Sequence, residues 1–403
     1  MNCLICNKKT LQFLDFKKIP LVNSFSKKQL MSNKKFPLKV MICNNCFVCQ
    51  LSNTPDEKKI FDKYAHYSSA SKDNVEHLKK LAKLLKKEYP KKKHVLEVGS
   101  NDGTFLRFLK SEKFKVEGVD PAKNFKTIHK KNNLKIYYQH FGANFLNVNN
   151  FLKFDLVVGI NVFAHFKNIL AAFKTVNLIL KPDGEFIFEV AYALPTLFSG
   201  NFDTIYHEHV FNHTITGLRN ILALSNFEIK KIEKINTQGG SLRVRAIKRN
   251  HIKKFIGQNL LVAEINKGFN KINFYKNFSN TLKKKIKKIN KELKKFDKSK
   301  KKNILLVGAP ARGVIFSNAT NILKLRKVNL YCVDDTDAKV NKFFPGLNIK
   351  VQNWQYVRLN IKKFDRAILL SWNYKKTMTQ KLKKVKFKGK LLTFFPRISY
   401  SFF

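Results

Sequence analysis

The stretch HVLEVGSNDGTFLRFL, residues 94–109, constrains the fold of this chain more than any other. It predicts a buried strand, a tight turn from Gly99 to Gly103, and a helix whose start faces a ligand. A second predicted strand, in FKVEGVDPAKN, ends at Asp120. An acidic residue at that place binds ribose hydroxyls in Rossmann-type sheets, so the pattern predicts a nucleoside-binding α/β domain.

The spacing of the glycines indicates which cofactor this turn accepts. The pattern is G-x-x-x-G with Glu97 upstream, whereas dinucleotide-binding turns follow G-x-G-x-x-G. A cofactor without a pyrophosphate is therefore favoured, and S-adenosylmethionine fits, with its amino-acid end over the turn and its ribose on Asp120. A Rossmann-like fold without a cofactor is the alternative. The candidate cofactor-binding residues are Glu97, Gly99, Ser100, Asn101, Asp102, Gly103, Asp120 and Asn161.

Two further strands, predicted at residues 154–161 and 184–190, alternate with helical segments. This order is typical of a doubly wound parallel sheet. Because ligands of such sheets lie beyond the carboxyl ends of the strands, we expect Asn161 and Glu189 at the mouth of the site. Glu189 is therefore a candidate substrate-binding residue.

The segment KKNILLVGAPARGVIFSN, residues 301–318, repeats the order of strand, glycine turn and helix. A later strand ends at Asp334 and Asp335, and residues 364–374 contain another. The chain therefore has a second, C-terminal Rossmann-like domain. Arg312 lies at the predicted start of the helix, where it suits a phosphate group of a substrate, although a solvated arginine is an equal alternative.

The first fifty residues contain two cysteine pairs of matching spacing, and these predict a zinc site. Cys3 and Cys6 form one C-x-x-C knuckle and Cys43 and Cys46 the other, which together supply four soft ligands. Cys49 is the alternative to Cys46. Four cysteine ligands close the coordination sphere, so the metal is expected to be structural and to stabilise a module with little core of its own.

The length of 403 residues predicts several domains, which we place at residues 1–66, 67–250 and 251–403. Lysine and arginine exceed acidic residues strongly, but they are spread along the chain, so we expect a solvated basic surface and no specific nucleic-acid partner. Residues 282–302 have the apolar spacing of an amphipathic helix. The sequence shows neither a membrane-spanning run nor a signal peptide, and we expect a cytoplasmic protein, plausibly a monomer.

The segment TIYHEHVFNH, residues 204–213, concentrates ionisable groups. We interpret it as extended, in which case His207 points away from Tyr206 and Glu208, and the histidines do not readily converge on one metal ion. Proton transfer is therefore favoured over a metal site or an idle surface. His165, in NVFAHF, is by itself more typical of a helix surface.

The cysteine knuckles, LEVGSNDGTFL, NVFAHF, YHEH, GGSLRV, GAPARG and SWNY occur in an order that resembles the sugar C-methyltransferases. The resemblance runs nearly end to end. It implies a zinc domain, a methyltransferase domain and a C-terminal Rossmann-like domain, with a nucleotide-linked keto-hexose bound between the last two. It also implies that four residues line the sugar site: Tyr206, Glu208, His209 and His165.

This chain differs from the family at three places that shape the pocket. It has VFNH where a tyrosine often follows YHEH, Gln238 where histidine often precedes GGSLRV, and Arg312 where lysine is more common. The exact sugar is therefore not predicted.

The combined prediction is a three-domain enzyme that methylates a sugar carbon beside a ketone. Such a reaction first removes a weakly acidic proton, so it needs a base and a group that stabilises the enolate. We assign the base to His209 or Tyr206, and the orienting or stabilising role to His165 and Glu208. The alternatives are a zinc-containing RNA methyltransferase and a non-enzymatic, zinc-dependent nucleic-acid binding protein. Against them stand the intact glycine turn and the lack of a recognisable RNA-binding module.

Overall fold

The computed structural model describes residues 1–54, 67–91, 93–149, 152–193, 198, 200–237, 239–249, 254–298 and 302–403. Within these residues the strands form three sheets of four, seven and six strands. The predicted α/β class is confirmed, and so is the predicted order of three modules along the chain. Gln238 lies outside the described residues.

The N-terminal module is an antiparallel sheet whose last strand comes from the middle of the chain. Strand order is β1-β2-β3-β9, and Cys49 and Gln50 of β3 pair with Asn212 and Phe211 of β9. A short helix lies between β1 and β2. The bounds are β1 Thr10–Pro20, α1 Gln29–Ser32, β2 Lys35–Cys43, β3 Cys49–Leu51 and β9 Phe211–Asn212.

The central sheet has the order β10-β11-β8-β7-β4-β5-β6. Strands β4 to β8 run parallel, and β11 is inserted antiparallel beside β8. The strands are β4 His94–Val98, β5 Lys115–Val119, β6 Lys135–Tyr137, β7 Phe154–Ile160, β8 Leu180–Ala191, β10 Phe227–Ile235 and β11 Ser241–Lys248. Its helices are α2 Lys72–Glu88, α3 Thr104–Ser111, α4 Lys126–Lys131, α5 Ala143–Asn149, α6 Ile169–Ile179 and α7 Ile215–Ala223.

The C-terminal sheet is parallel except for its last strand, and its order is β14-β13-β12-β15-β16-β17. The strands are β12 Lys302–Val307, β13 Val328–Val333, β14 Val351–Gln352, β15 Arg366–Leu369, β16 Lys390–Thr393 and β17 Ser399–Phe402. The helices that precede or flank it are α8 Gln258–Asn266, α9 Ile272–Lys294, α10 Ala311–Ala319, α11 Trp354–Leu359 and α12 Lys375–Lys384. The second Rossmann-like domain is thus confirmed.

Helix α9 corrects the helix predicted at residues 282–302. It begins ten residues earlier, at Ile272, and ends at Lys294 in a 3-10 turn, Lys295–Lys298. The predicted apolar stripe is present, because Leu282, Ile289 and Leu293 are buried. The stripe also extends back to Tyr275 and Phe278, whose rings pack against Phe13 of β1.

The core residues show how the modules are joined. Leu261 of α8 belongs to the hydrophobic cluster of the central sheet, whereas Phe269 and α9 belong to the cluster of the C-terminal sheet. The packing therefore changes partner after α8, a little beyond the predicted boundary at residue 251. The N-terminal module contributes to both clusters, through Val48 to the first and through Leu38 to the second. The N-terminal module therefore packs against both of the other domains.

Candidate active site

The four predicted cysteines converge on one point in the N-terminal module. The Sγ atoms of Cys3 and Cys46 lie 3.6 Å apart, those of Cys6 and Cys43 lie 3.4 Å apart, and all four are within 4.8 Å of one another. Tetrahedral zinc with Zn–S bonds of about 2.3 Å needs sulfur atoms about 3.8 Å apart. The cluster therefore fits a four-cysteine zinc site.

The surroundings of the cluster indicate thiolate ligands. Backbone N–H groups of Ile5 and Asn45 donate to the sulfur atoms of Cys3 and Cys43, both at 3.4 Å. Cys49 is fully buried in β3 near Tyr275 and stands outside the cluster, and burial raises the pKa of its thiol to about 12. Cys46, rather than Cys49, completes the cluster of four thiols.

The predicted cofactor turn lies at the carboxyl end of β4. Gly99 and Gly103 have φ angles of 72° and 75°, which favour glycine. A Cβ at Gly99 would meet the side chain of Val162 at 2.6 Å, and one at Gly103 would meet Leu134 at 2.5 Å. Both glycines thus allow close packing of the turn against neighbouring protein, and α3 begins immediately after Gly103.

Asp120 follows β5 and braces the turn. One carboxylate oxygen accepts the backbone N–H of Asn101 at 2.8 Å, and the other accepts that of Ala122 at 2.8 Å. Each oxygen can accept a second hydrogen bond, so these contacts leave acceptor capacity for a ribose hydroxyl. Although the backbone bonds oppose it, burial raises the pKa of Asp120.

Glu97, Asp102 and Asp120 place three carboxyl groups around the turn, and all three are buried. Burial and then the charges of Asp102 and Asp120 raise the pKa of Glu97 well above its ordinary value. Buried like charges are costly unless a cation joins them. The region therefore suits a ligand with positive charge, and S-adenosylmethionine carries a sulfonium and an ammonium group.

Two backbone contacts cover this turn, and no sequence pattern predicts them. Ser68 donates its N–H to the side chain of Asn101 at 2.9 Å, and Ser69 donates to Asp102 at 3.0 Å. Asn101 and Asp102 thus hold the segment before α2 against the turn, while Ser100 is buried below it. On the opposite side, Nε2 of His129 lies 2.7 Å from the carbonyl of Asn101.

The YHEH segment is a turn rather than the extended strand that we predicted. The backbone N–H of His209 donates to the carbonyl of Tyr206 at 2.9 Å, which folds the four residues back on themselves. As a result the Tyr206 hydroxyl lies 2.8 Å from Nε2 of His209. An extended segment would have placed His209 on the opposite face from Tyr206.

His209 has the geometry of a neutral base. Its Nδ1 lies 3.2 Å from the carbonyl of Thr204, which accepts a hydrogen bond from Nδ1–H, so the lone pair is on Nε2. Burial and then the charge of His165 lower the pKa of His209 well below its ordinary value. Burial also raises the pKa of Tyr206, so its hydroxyl keeps its proton and donates to His209.

Glu208 and His165 lie beside this pair. Nδ1 of His165 donates to the backbone carbonyl of Glu208 at 2.6 Å, and the rings of His165 and His209 are 5.3 Å apart. Burial raises the pKa of Glu208 to about 7, while a hydrogen bond from Asn23 acts in the opposite direction. His165 is in a bend after β7, not on a helix surface.

His207 is directed away from the pair, as predicted, although for a different reason. The turn buries it against the N-terminal module, where its Nε2 lies 3.2 Å from the carbonyls of Phe36 and Pro37. His213 is also buried, and burial lowers its pKa to about 4.

Glu189 is at the carboxyl end of β8, as predicted, but its surroundings do not support a role in substrate binding. Its side chain is completely buried, with an ion pair to Arg243 of β11 at 2.7 Å and a hydrogen bond to Nε2 of His77 in α2, also at 2.7 Å. The carboxylate is thus neutralised within the protein. Asn161 beside it has φ 54° and donates its N–H to the Glu189 carbonyl at 2.9 Å.

Arg312 connects the C-terminal domain to the YHEH turn. Its guanidinium stacks 5.1 Å from the centre of the Trp372 ring, and a Cβ at Gly239 would meet it at 3.0 Å. Its charge acts on the pKa values of Tyr206 and His209. Four sequence motifs therefore meet at one place: GGSLRV, GAPARG, SWNY and YHEH. The side chain of Arg312 is only partly exposed there, rather than fully solvated.

Asp203 and Trp372 are contributors to this place that the sequence analysis missed. The indole N–H of Trp372 donates to Asp203 at 2.6 Å, and Asp203 is buried three residues before Tyr206. Burial raises the pKa of Asp203, and the charge of Arg312 opposes that rise. The tryptophan of SWNY, one of two tryptophans in the chain, was the available signal.

Three families match successive parts of the chain. Residues 3–61 match a "Putative zinc binding domain", residues 66–232 a "Methyltransferase domain", and residues 236–396 a "C-methyltransferase C-terminal domain". This is the order that the resemblance implied. The predicted cofactor and structural zinc both agree with these matches and with the cysteine cluster.

A characterised relative supports the same assignment. C-methyltransferase NovU of Streptomyces niveus is 25% identical over 347 residues, which cover 84% of this chain and 81% of the relative. The chain is therefore an S-adenosylmethionine-dependent C-methyltransferase, and the resemblance found in the sequence is confirmed. The non-enzymatic alternative is wrong, and carbon methylation is favoured over RNA methylation.

Solved structures match only part of the chain. A methyltransferase of Clostridium acetobutylicum is 16% identical, with a TM-score of 0.36, and covers 44% of this chain and 92% of its own. Magnesium protoporphyrin IX methyltransferase of Synechocystis is 15% identical, with a TM-score of 0.36, and covers 44% and 83%. Neither likeness is close enough to inform the function. Among the described residues, no helix is both long and apolar enough to span a bilayer.

Proposed function

We propose that this S-adenosylmethionine-dependent C-methyltransferase methylates the carbon beside a ketone in a nucleotide-linked hexose, with His209 as the base. The observation that carries the proposal is the partly buried pair of Tyr206 and His209, whose hydroxyl and Nε2 are 2.8 Å apart, in a turn that Arg312 approaches from the C-terminal domain. The similarity to NovU supports carbon as the methylated atom.

His209 performs the first step. Its Nε2 lone pair accepts a hydrogen bond from the Tyr206 hydroxyl before the reaction. When that hydroxyl turns to the enolate oxygen, the lone pair takes the proton from the carbon beside the ketone, and the electrons of the C–H bond form the enolate. The low pKa of His209 keeps the imidazole neutral before the step, so the lone pair is available at neutral pH. Tyr206 supports the base, because its hydroxyl orients Nε2 and keeps its own proton.

The enolate oxygen needs hydrogen-bond donors in a site that excludes water. The Tyr206 hydroxyl and the acid form of Glu208 are the donors of this turn, and both residues are at least partly buried. His165 orients Glu208, because its Nδ1–H donates to the Glu208 backbone carbonyl. S-adenosylmethionine supplies the electrophilic methyl group that the enolate carbon accepts. The three carboxyl groups at the glycine turn of β4 would hold that cofactor.

The nucleotide part of the substrate has a separate place in this proposal. Arg312 sits at the start of α10, where a helix N-terminus and a guanidinium both favour a phosphate group. Trp372 holds the guanidinium from one side, and Asp203 holds Trp372. The diphosphate would therefore bind on the C-terminal domain while the sugar reaches the YHEH turn.

The test measures proton removal apart from methyl transfer. With a nucleotide-linked 4-keto-hexose in deuterium oxide, NMR follows exchange at the carbon beside the ketone for the parent, His209→Ala and Tyr206→Phe. We expect His209→Ala to slow both exchange and methylation by about 10²- to 10⁴-fold, the range for a positioned base. Tyr206→Phe should slow them less, because it removes a hydroxyl that orients the base and donates to the enolate oxygen but leaves the base itself in place.

His207→Gln is the matched control, since His207 belongs to the same turn but bonds only to backbone carbonyls of the N-terminal module in the described contacts. It should retain near-parental exchange once thermal melting shows that it is folded. Parental exchange rates in both the His209 and Tyr206 variants would overturn the proposed mechanism.

A further inference from the structure

Asn23 belongs to the N-terminal module, but its side chain leaves that module. It lies in a turn between β1 and β2, and its Nδ2 donates to Oε1 of Glu208 at 2.8 Å, across 185 residues of sequence. Glu208 is 5% exposed, whereas Asn23 is exposed. We infer that Asn23 is a positioning residue for methylation, which acts by fixing the carboxyl group of Glu208. This inference rests on the proposed function.

The segment that carries Asn23 is held at both ends. On one side Val22 is buried, and the hydroxyl of Ser24 donates to the carbonyl of Leu21 at 2.7 Å. On the other side the carbonyl of Ser26 accepts the N–H of Phe343 at 2.8 Å. The amide of Asn23 is therefore presented to Glu208 by a fixed backbone.

This segment also reaches the C-terminal domain. The rings of Phe25 and Phe344 meet edge to face at 5.9 Å, and the ammonium group of Lys339 lies 5.6 Å from the centre of the Phe25 ring. Residues 23–26 thus extend from the YHEH turn to the domain that carries Arg312. The N-terminal module then does more than fold around a metal, because it forms part of the wall between the two domains.

The hydrogen bond has a chemical consequence for Glu208. An amide N–H donor stabilises the ionised carboxylate, whereas burial stabilises the neutral acid. Tyr206 also faces this carboxyl group, and His165 donates to the backbone carbonyl of Glu208. The charges of Arg312 and Asp203 shift the pKa of Tyr206. Loss of the amide leaves burial unopposed and moves the titration of Glu208 to higher pH.

A purely structural role for Asn23 is the competing explanation, and a double-mutant cycle separates the two. The variants are Asn23→Ala, Glu208→Gln and the double variant, assayed for kcat/KM from pH 5 to 9 with the full-length, zinc-loaded enzyme. Asn33→Ala is the matched control, because it also removes an asparagine amide that leaves the module, in this case toward Asn348 at 3.0 Å. Zinc content and melting temperature are measured for every variant.

We expect Asn23→Ala to lower kcat/KM about tenfold in the parent, as for loss of one hydrogen bond to a buried ionisable group, and less than about twofold in Glu208→Gln. The limb of the pH profile that disappears in Glu208→Gln should move to higher pH in Asn23→Ala. Asn23→Asp should move it furthest, because it replaces the donor with a second carboxylate. Asn33→Ala should leave the profile unchanged.

Two outcomes distinguish failure of this inference from failure of the proposed function. If Glu208→Gln has parental activity, the proposed role of Glu208 is wrong, whatever Asn23 does. If Glu208→Gln is impaired but Asn23→Ala keeps the parental pH profile, or lowers activity equally in both backgrounds, only the inference about Asn23 is overturned.

Discussion

The glycine turn after β4 and the glycine turn after β12 are held by the same arrangement. In each, a carboxylate that follows the neighbouring strand accepts a backbone N–H of the turn: Asp120 from Asn101 at 2.8 Å, and Asp334 from Ala309 at 2.6 Å. In each, the first glycine has a positive φ, 72° at Gly99 and 88° at Gly308. The backbone design is therefore shared by the two domains.

The side chains around the two turns differ in charge. Burial raises the pKa of Asp120 and, with two neighbouring acids, that of Glu97. At Asp334 burial also acts upward, but the charge of Lys339 and the hydrogen bonds from Thr336 and Ala309 outweigh it and lower the pKa. Arg312 adds a second cation beside this turn.

In both domains the fold sets where a ligand would bind, while the side chains around the turn set which charge of ligand the turn favours. The first turn suits a cationic cofactor, and the second suits an anionic substrate group. The turns also differ in room, since a Cβ at Gly308 would meet the hydroxyl of Ser371 at 1.9 Å. The second turn is therefore closed by SWNY, and a ligand would meet Arg312 at its rim rather than the backbone of the glycine.

The largest effect is expected at the first turn. Asp120→Ala should weaken binding of S-adenosylmethionine by about 1–3 kcal/mol, because it removes a buried hydrogen-bonding partner. Calorimetry measures this change. Binding of a nucleoside diphosphate to the same variant is the control, and its affinity should stay at the parental value. Equal cofactor affinity in variant and parent would show that the first turn does not hold the cofactor.

A smaller effect is expected at the second turn. Arg312→Leu should weaken binding of a nucleoside diphosphate by about 1–2 kcal/mol, since it removes a charge-assisted contact at a partly exposed site. Its affinity for S-adenosylmethionine should stay at the parental value. The same calorimeter experiment at low and high salt is informative, because the contribution of Arg312 should shrink as salt screens it. A reversed pattern, with only cofactor binding affected, contradicts the assignment of charges to ligands.

The smallest effect is expected on stability. The folded pKa of Asp334 is below the unfolded value of about 4, so its ionised form stabilises the fold at pH 7 and pH 5 alike. The pKa of Asp120 is raised in the folded state, so ionised Asp120 destabilises the fold at neutral pH. Protonation removes this destabilisation as pH falls. Asp334→Asn should lower the free energy of unfolding by about 1 kcal/mol at both pH values, whereas the loss caused by Asp120→Asn should grow as pH falls through the raised pKa of Asp120. Denaturant midpoints at the two pH values test this, and parallel behaviour of both variants would contradict it.

Much of the architecture was predictable because its signals are local. Both glycine turns, the strands that lead into them and the paired cysteines are each defined within about twenty residues of sequence. The choice of Cys46 over Cys49 followed from knuckle spacing alone, and Cys46 is the cysteine that lies in the cluster. Helix α9 was predicted too late in the chain, because aromatic residues such as Tyr275 were not counted in its apolar stripe.

The contacts within the site were less predictable because they join distant parts of the chain. The side chain of Asn23 reaches Glu208, and Trp372 reaches Asp203, without any local pattern that marks either pair. Arg243 offered a signal that was overlooked: a charged residue in a strand with both faces covered must find a buried partner, which is Glu189. The turn at YHEH could not be predicted from periodicity, because four residues are too few to show one.

The pairing of β3 with β9 has a consequence for how the polypeptide is made. Strand β3 leaves the ribosome before its partner, which is synthesised about 160 residues later, after roughly 10–30 s. Until then the nascent module has an unpaired edge, and unpaired edges recruit other chains. Zinc capture by the two knuckles would hold the hairpin in register during that wait. Cellular zinc supply should therefore govern the yield of folded protein during translation, even though the metal takes no part in the reaction.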